Sequence, residues 1–464
     1  MIAKRKRWIM GAVGLVILVS AAVALNHGAQ LIGIGAAYKA KMLCSEVFVA
    51  ERDAQEAAAD LEIDDLAVLR VINASLDREA RTSTASFLGL VKRMARYRED
   101  RGCSIVFHSS AERDLAEIRR VSLHDAPGPR AASSLPEELP AEINPQLEAA
   151  IAEAFEEPDS AHLRRTRAVV VVHKGRVIAE RYAPGFGPDT PLPGWSMTKS
   201  VLSALVGAAA HQHDISLDAS VPIAEWQGPG DPRASISWRH LLEMSSGLRF
   251  DEDMANPLAD VTRMLLAERD MAAFAARKDL LATPGSSWRY SSGSSNIVSR
   301  ALRTILGEDE YRGFPRSALF DRIGMSSALI ESDASGTWVG SSFMYATARD
   351  WARFGMLYLK DGIWNGERIL PEGWVRFTAA PAPADLREAY GAHFWLSVPD
   401  EYNAGSVRLP PDAFHAVGHE GQFVTIIPSE EVVVVRLGRT RYAQAWDHGA
   451  FVRAVLRVLQ ASGD

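Results

Sequence analysis

The 464-residue sequence has only two cysteines, no internal repeat and no run of basic residues beyond its first few positions. Its formal net charge of -7 is spread along the chain, so binding of nucleic acid has no electrostatic support. Two distant cysteines, and a His211/His213 pair with no third ligand in view, give no indication of a metal site. A hydrophobic content of 47% excludes a disordered chain and allows a large core in about two or three domains.

A long apolar run lies close to the N-terminus. The basic residues 4–7 (KRKR) precede the uncharged segment 8–25 (WIMGAVGLVILVSAAVAL), whose length is near the lower limit for a bilayer-spanning helix. We interpret 8–25 as a transmembrane anchor and 1–7 as a cytoplasmic tail. The alternative is a cleaved signal peptide, since A-V-A at 22–24 resembles a cleavage site. Both interpretations export the remaining chain, which predicts a protein of the bacterial inner membrane with its main domain in the periplasm.

The two cysteines fit such an export. Cys44 in KMLCSEVF and Cys103 in DRGCSIVF would lie in an oxidising compartment, where a disulfide persists. Our hypothesis is that they pair with each other. The alternative is two unrelated buried thiols.

Composition divides the exported part into two regions. Segment 36–107 mixes short helical patterns and carries no recognisable motif. Segment 124–145 (HDAPGPRAASSLPEELPAEINP) is rich in proline and small residues, which is typical of a linker. We therefore place a boundary near residue 140, between an N-terminal extension with its linker, 26–140, and a domain, 141–464.

The domain begins with helix and hairpin signals. Asn144 can cap and Pro145 can open a helix. Segment 168–182 (AVVVVHKGRVIAERY) has two β-branched runs around a K-G pair, which predicts two antiparallel strands joined by a tight turn.

Helical patterns dominate from 196 to about 378 and include a predicted capping box of Thr347 and Asp350. Strand-like segments return at 389–398 (AYGAHFWLSV), 423–428 (FVTIIP) and 432–438 (VVVVRLG), before a predicted helix around 451–459. Strands at both ends with helices between them predict the α+β class, in which one antiparallel sheet is assembled from both ends of the domain and flanked by helices.

The first candidate catalytic pair lies in 194–207, GWSMTKSVLSALVG. If a helix starts near Ser196, Lys199 lies on the same face one turn later, about 5–6 Å away at Cβ. A serine hydroxyl needs a neighbouring base to become a nucleophile, and a helix start offers backbone N–H groups to an oxyanion. The run after Lys199 is apolar all round, which predicts a buried helix and a lysine whose pKa is lowered by burial. The tetrapeptide alone is also compatible with an ordinary surface helix.

Two further segments carry candidate groups. Tyr290 lies in 284–302 (PGSSWRYSSGSSNIVSRAL), where a Pro-Gly turn leads into a serine-rich loop. His419 opens the H-E-G motif of 416–428 (AVGHEGQFVTIIP), where glycines allow close backbone approach at a strand edge. Taken alone, each of these side chains is more typical of a structural residue.

In this order, the three pieces resemble the serine β-lactamase and penicillin-binding-protein family, which carries S-x-x-K, a second polar motif and K-T-G. The similarity is greatest to class C β-lactamases and the related esterases, D-aminopeptidases and 6-aminohexanoate-dimer hydrolases. LLEMSSGLRF from 241, FMYATARDWARFG from 343 and GHEGQF from 418 are similar to segments of the esterase and amidohydrolase branch. The resemblance covers about 145–464 and implies a β-lactamase/transpeptidase-like fold with an all-helical subdomain.

The resemblance also implies an acyl-enzyme mechanism that requires no metal and no organic cofactor. Ser196 would attack a carbonyl carbon, while Lys199 and Tyr290 handle its proton. The oxyanion hole would consist of the backbone N–H groups of Ser196 and Gln422. The other residues on the substrate side would be His419, Gly421 and Ser292.

Two residues depart from the family pattern. His419 replaces the lysine of K-T-G and is mostly neutral at pH 7, so it would hold a substrate carboxylate weakly. Ser292 replaces an asparagine and removes an amide that both donates and accepts hydrogen bonds.

We therefore predict a serine hydrolase acting on an ester or amide of a small carbonyl compound. The alternatives are a β-lactamase or D-Ala-D-Ala-type peptidase, and a catalytically silent binding module of the envelope.

Overall fold

In a computed structural model, the protein is described over residues 2–62, 67–107 and 143–461, with the side chains of its first helix from residue 26 onward. The N-terminal part contains α1 Ile2–Phe48, α2 Ala54–Glu62, α3 Ala67–Arg70 and the strands β1 Asn73–Asp77, β2 Thr82–Phe87, β3 Val91–Arg98 and β4 Gly102–Val106. The four strands form one antiparallel sheet in the order β1-β2-β3-β4.

This sheet packs on α1 through small side chains. Ala36 and Ala40 of the helix share a buried cluster with Ala85 of β2 and Ala95 of β3. The helical patterns predicted in 36–107 correspond to the end of α1, α2 and α3, and the four strands were not predicted. The strand sequences, such as TSTASF in β2 and VKRMARYR in β3, consist largely of small, polar or charged residues, so the alternation that identifies a strand is hidden.

The larger part is built on a five-stranded antiparallel sheet in the order β12-β13-β14-β5-β6. Its strands are β5 Thr166–His173, β6 Arg176–Tyr182, β12 Phe414–Gly418, β13 Gln422–Ile427 and β14 Val432–Gly438. β5 and β6 form the predicted hairpin, and β14 pairs with β5 across the sheet, with Val433 opposite Val172. The predicted single sheet assembled from both ends of the domain is confirmed.

Ten helices of the described residues accompany this sheet. They are α4 Pro145–Glu153, α5 Met197–His213, α6 Trp238–Leu242, α7 Asp260–Ala267, α8 Met271–Ala276, α9 Ser292–Pro315, α10 Asp321–Ile323, α11 Ala348–Leu359, α12 Trp374–Thr378 and α13 His448–Ala461. The short strands β7 Leu192–Pro193, β9 Met344–Ala346 and β8 Leu329–Ile330 pair in that order, and β10 Ile363–Trp364 pairs with β11 Glu367–Arg368.

The central strands are apolar on both faces because helices cover both. Val170 and Val172 of β5 enter a large core that includes α5 and α11, whereas Val169 and Val171 enter a second core beneath α4 and α13. The sequence of a strand that is buried on both sides is a continuous hydrophobic run, as in the valine runs of β5 and β14.

The N-terminal part belongs to the same hydrophobic core as the larger domain. Leu43 and Val47 of α1 lie in one buried cluster with Trp195 and Met197. The extension predicted at 26–140 therefore packs on the domain over its described residues.

The predicted membrane segment 8–25 and the tail 1–7 fall at the start of α1, where side chains lie outside the described part of the chain. Among the residues that the structure describes, no helix combines the length and the apolar character needed to cross a bilayer. The predicted linker up to residue 142, with the boundary near 140, also lies outside the described residues.

Two local predictions need correction. Segment 389–398 forms isolated bridges and no strand, because its backbone turns back on itself: Gly391 N–H donates to the carbonyl of Phe394, and His393 adopts a left-handed φ of 64°. Thr347 caps α11 by accepting from the N–H of Asp350, but the Asp350 carboxylate bonds Ser327 instead of closing the capping box. The predicted helices at 145 and around 451–459 are present.

Cys44 of α1 and Cys103 of β4 form a disulfide in the structure. The bond closes a long loop, since the two residues are 59 positions apart. It fastens the N-terminal sheet to α1.

We predict that replacing both cysteines by serine lowers the free energy of unfolding by about 2–4 kcal/mol, because the unfolded chain regains the entropy of the open loop. Urea unfolding of the variant and the oxidised wild type measures this difference. Thiol titration of unreduced, denatured wild type should find no free sulfhydryl, and two free sulfhydryls would contradict the pairing.

Candidate active site

The backbone turns sharply just before Ser196. Trp195 has a left-handed φ of 47°, and Ser196 occupies the N-cap position of α5. Gly194 N–H donates to the carbonyl of Met344, which ties the turn to β9. A Cβ at Gly194 would lie 2.3 Å from the Trp351 ring, so the tight packing here requires glycine. The result is a partly exposed serine hydroxyl at the start of a buried helix.

Lys199 lies one turn further along α5 and is buried, with 1% of its surface exposed. Its Nζ lies 3.0 Å from Ser196 Oγ, 3.1 Å from Ser292 Oγ and 2.8 Å from the carbonyl oxygen of Ser341. The predicted proximity of the hydroxyl and the amine is therefore present in the structure.

The hydrogen-bond partners of Lys199 orient its lone pair. The carbonyl of Ser341 can only accept, so it takes one N–H of the amine. Ser292 gives its hydroxyl proton to Glu252 Oε1 at 2.5 Å, so its oxygen accepts a second N–H. A neutral amine has two N–H groups and one lone pair. The remaining direction, toward Ser196, is thus the lone pair, which is what proton removal from that hydroxyl requires.

Burial lowers the pKa of Lys199 to about 8, while the nearby Glu252 carboxylate opposes the shift. An amine with this pKa is partly neutral near pH 7. Burial also raises the pKa of Glu252 itself, although Lys199 and the two hydrogen bonds from Ser292 work in the other direction.

Tyr290 completes the cluster. Its ring centroid lies 4.8 Å from Lys199 Nζ, and its hydroxyl lies close enough to the Ser196 side chain for that side chain to act on its pKa. Burial and the Glu252 carboxylate raise the pKa of Tyr290 well above its ordinary value. The phenol is therefore protonated at neutral pH, which suits a proton donor better than a tyrosinate base.

An aromatic cluster supports Tyr290. Its ring packs edge-on against Tyr390 at 5.8 Å and lies 5.7 Å from Trp395, and both of these rings also contact Trp288. These side chains form an apolar surface beside the hydroxyl of Tyr290.

The backbone of Gln422 lies near the segment that leads into Ser196. A Cβ at Gly418 would meet the Gly194 carbonyl at 2.1 Å, so the end of β12 touches the segment that leads into Ser196. Gln422 faces Gly418 across the turn at 419–421, at the start of β13. This arrangement brings the two predicted oxyanion donors, Ser196 N–H and Gln422 N–H, to neighbouring backbone segments.

The side chain of Gln422 has a role that the sequence did not suggest. Its amide nitrogen donates to the carbonyls of His419, Glu420 and Gly438, and its oxygen accepts from Gly438 N–H. These bonds fix the turn between β12 and β13 to the end of β14. Residue type at this position therefore matters for the backbone geometry.

His419 is half-buried and packs edge-on against the Trp195 ring at 5.5 Å. Burial lowers the pKa of His419 below its ordinary value, despite the neighbouring Glu420. The imidazole is neutral at pH 7, in agreement with the weak carboxylate binding expected from the sequence. Gly421 forms the turn with a φ of 78°.

Ser292, which the resemblance placed on the substrate side, lies beside Lys199 in the structure. Only 2% of its surface is exposed, and its hydroxyl is engaged by both Lys199 and Glu252. It acts inside the proton-transfer cluster. Because the residue two positions after Tyr290 is at the start of α9, its side chain turns inward.

Sequence reasoning missed Glu252 and His393. Glu252 accepts both the N–H and the hydroxyl of Ser292, 40 positions away. His393 is buried and joins α5 to α9: its ring contacts the Lys199 carbonyl at 3.0 Å and Ser295 Oγ at 3.2 Å. An acidic residue shortly after the S-S-G segment was the only signal in the sequence for Glu252.

The histidine pair noted in the sequence is not assembled into a metal site. His213 contacts Glu310 at 2.9 Å, and the described part of the chain contains no group of three or more histidine, cysteine or acidic residues that could hold a metal ion.

We predict that acylation of Ser196 accelerates as the pH rises through about 8, because only the neutral Lys199 amine accepts the proton. The pH dependence of reaction with a small activated ester measures the midpoint. A rate that is flat between pH 6 and 9 would contradict this assignment.

Glu252→Gln should lower the plateau rate by about tenfold, the cost of one misdirected hydrogen bond. Because Ser292 N–H must face the amide oxygen, the new NH2 group would point at Ser292 Oγ and turn its proton toward Lys199. The midpoint should also move to lower pH, since the carboxylate that raises the pKa of Lys199 is lost. The control is Asp253→Asn, which removes an exposed charge from the same loop and should change neither quantity.

Sequence and structure comparisons relate the chain to known proteins. The β-lactamase family model matches residues 151–456. Among curated proteins, the chain is 23% identical over 299 residues to a 6-aminohexanoate-dimer hydrolase of Paenarthrobacter ureafaciens, an alignment that covers 59% of this chain and 72% of the relative.

Two solved structures share the fold. A penicillin-binding protein homolog from Caulobacter crescentus is 16% identical with a TM-score of 0.53, over 68% of this chain and 99% of that one. EstCE1, a hydrolase with promiscuous acyltransferase activity, is 16% identical with a TM-score of 0.52, over 68% and 97% of the two chains. The expected β-lactamase/transpeptidase-like α+β fold is confirmed. Since the family match spans most of the larger domain, the chain belongs to the serine β-lactamase-like family.

Proposed function

We propose that the protein is a serine hydrolase that cleaves an ester or amide bond of a small carbonyl compound through an acyl-enzyme on Ser196. The observation that carries the proposal is the contact of Ser196 Oγ with Lys199 Nζ at 3.0 Å, beside Tyr290, whose ring centroid lies 4.8 Å from the same amine. Few structural roles would place a buried amine and a protonated phenol on one partly exposed hydroxyl.

In the acylation step, Ser196 Oγ forms a bond to the carbonyl carbon and its proton passes to the Lys199 lone pair. The carbonyl oxygen becomes an oxyanion and accepts hydrogen bonds from the N–H groups of Ser196 and Gln422. The bond to the leaving group then breaks as Tyr290 donates its proton to the departing oxygen or nitrogen. Lys199 returns a proton to Tyr290, so both groups end in their starting states.

Deacylation runs the same path with water. Lys199 accepts a proton from the attacking water, whose oxygen bonds to the acyl carbon. The bond to Ser196 Oγ then breaks, and the serine oxygen regains its proton from the cluster. The products are the free acid and the restored site.

The charges around the site favour a neutral substrate. The imidazole of His419 is uncharged at pH 7, and the hydroxyl of Ser292 is engaged within the protein. Glu252 adds negative charge close to Lys199 and Tyr290. A neutral His419 would hold the carboxylate of a β-lactam more weakly than a charged lysine would, so we rank esters and neutral amides ahead of β-lactams as substrates.

We further propose that the protein is held in the bacterial inner membrane by residues 8–25, with the larger domain in the periplasm. The supporting observations are the basic residues 4–7 before that apolar run and the disulfide between Cys44 and Cys103, which persists in an oxidising compartment.

A fluorophosphonate probe tests the proposed nucleophile. We expect covalent labelling of the wild type and none of Ser196→Ala, because the probe reacts with an activated serine hydroxyl. Lys199→Met should remain folded but label at least about a hundredfold more slowly, as the base is lost. Equal labelling of wild type and Ser196→Ala would support a catalytically silent binding module.

Substrate preference is tested by comparing kcat/KM for a short p-nitrophenyl ester with kcat/KM for a chromogenic cephalosporin. We expect the ester to be hydrolysed faster. A higher value for the cephalosporin would reverse this order of substrates and favour a β-lactamase.

A further inference from the structure

Glu331 is a fully buried carboxylate in the larger domain, and the hydrogen bonds to it come from the N-terminal part. Lys41 Nζ bonds Oε2, while Ser45 Oγ and the N–H of Cys103 donate to Oε1 at 2.8 and 2.7 Å. Glu331 has 0% and Lys41 1% of its surface exposed. These donors lie far from Glu331 along the chain, so the carboxylate joins two separate parts of the protein.

Lys41 also supports an aromatic side chain next to the active site. Its Nζ lies 3.6 Å from the ring centroid of Phe343, and the carbonyl of Phe343 accepts a hydrogen bond from Glu331 N–H at 2.7 Å. The Phe343 ring also neighbours Trp195, at 6.1 Å between centroids. Lys41 therefore lies behind Phe343, which in turn contacts the residue that precedes Ser196.

Trp195 is held on more than one side. Its indole N–H donates to Glu420 Oε2 at 3.3 Å, and its ring packs against His419 of the oxyanion turn. A non-glycine residue with a φ of 47° persists only when its surroundings hold it. The Phe343 contact is one part of this support that depends on the N-terminal extension.

We propose that Lys41 and Glu331 are positioning residues for acyl transfer, through which the N-terminal extension supports Phe343 and Trp195 and so fixes the backbone of Ser196. The inference rests on the proposed function. The family match begins at residue 151, so this support comes from a part of the chain outside the matched domain.

A role in stability alone is a poor explanation for this pair. Taking both charges out of water costs free energy that their attraction only partly returns, and apolar replacements are often as stable. A positioning role predicts an effect on kcat with KM unchanged, because the turn at Trp195 sets the position of the nucleophile Ser196 and of its backbone N–H.

Two matched double variants of the full-length chain test the proposal. Lys41→Ala/Glu331→Gln removes both charges and leaves space behind Phe343, whereas Lys41→Met/Glu331→Gln removes the same charges and fills that space. In both, the new amide oxygen at position 331 can still accept from Ser45 and Cys103. We expect kcat for a small ester to fall about ten- to hundredfold in the alanine variant, with KM within twofold, and to recover in the methionine variant.

Thermal unfolding of each variant establishes that it is folded at the assay temperature. Wild-type kcat in a folded alanine variant overturns the proposal. Should that variant fail to fold, Phe343→Leu decides the question, because it removes the ring and keeps the ion pair. Unchanged kcat in Phe343→Leu also overturns the proposal.

The control Arg300→Met/Glu225→Gln removes an ion pair elsewhere in the domain and should leave kcat unchanged. Fluorophosphonate labelling of the wild type in the same series distinguishes failure of the positioning proposal from failure of the proposed hydrolase function. An unlabelled wild type refutes the hydrolase function itself.

Discussion

The chemistry of this protein depends on one buried amine whose hydrogen bonds are assigned by its neighbours. The carbonyl of Ser341 accepts one N–H of the Lys199 amine, and Ser292 Oγ, whose own proton is donated to Glu252, accepts a second. The lone pair of the amine is left facing Ser196. The low polarity around the amine makes its neutral form accessible, and the same burial keeps the Tyr290 phenol protonated. One physical condition, burial of the Lys199 amine and the Tyr290 phenol, therefore prepares both the base and the acid.

The fold provides this condition by bringing backbone segments into close contact. Gly194 packs under Trp351, and Gly418 packs against Gly194, so the central sheet and the start of α5 touch without side chains between them. His393 links α5 to α9 on the buried side of the site. Gln422 fixes the turn between β12 and β13 to the end of β14. The site is thus held by two polar side chains, His393 and Gln422, whose hydrogen bonds are made mostly to the backbone.

Local patterns were sufficient to predict the valine hairpin, the helix after Ser196 and the sheet assembled from both ends of the domain. Contacts between distant segments were not predictable. Glu252 reaches Ser292 across 40 positions, and Lys41 reaches Glu331 across 290. The N-terminal sheet was missed because its strands are short and consist largely of small, polar or charged residues, which gives no clear alternation of apolar and polar positions. The strand expected at 389–398 failed because tertiary contacts turn that apolar segment back on itself.

The protonation state of Lys199 is the central claim, and carbon-13 NMR of protein labelled at the lysine Cε atoms measures it directly. The resonance that is lost in Lys199→Arg identifies the residue. We predict that this resonance titrates with a midpoint near 8. A midpoint near the ordinary lysine value of 10.5 would contradict the role of Lys199 as the base, because the amine would then be an ammonium throughout the neutral pH range.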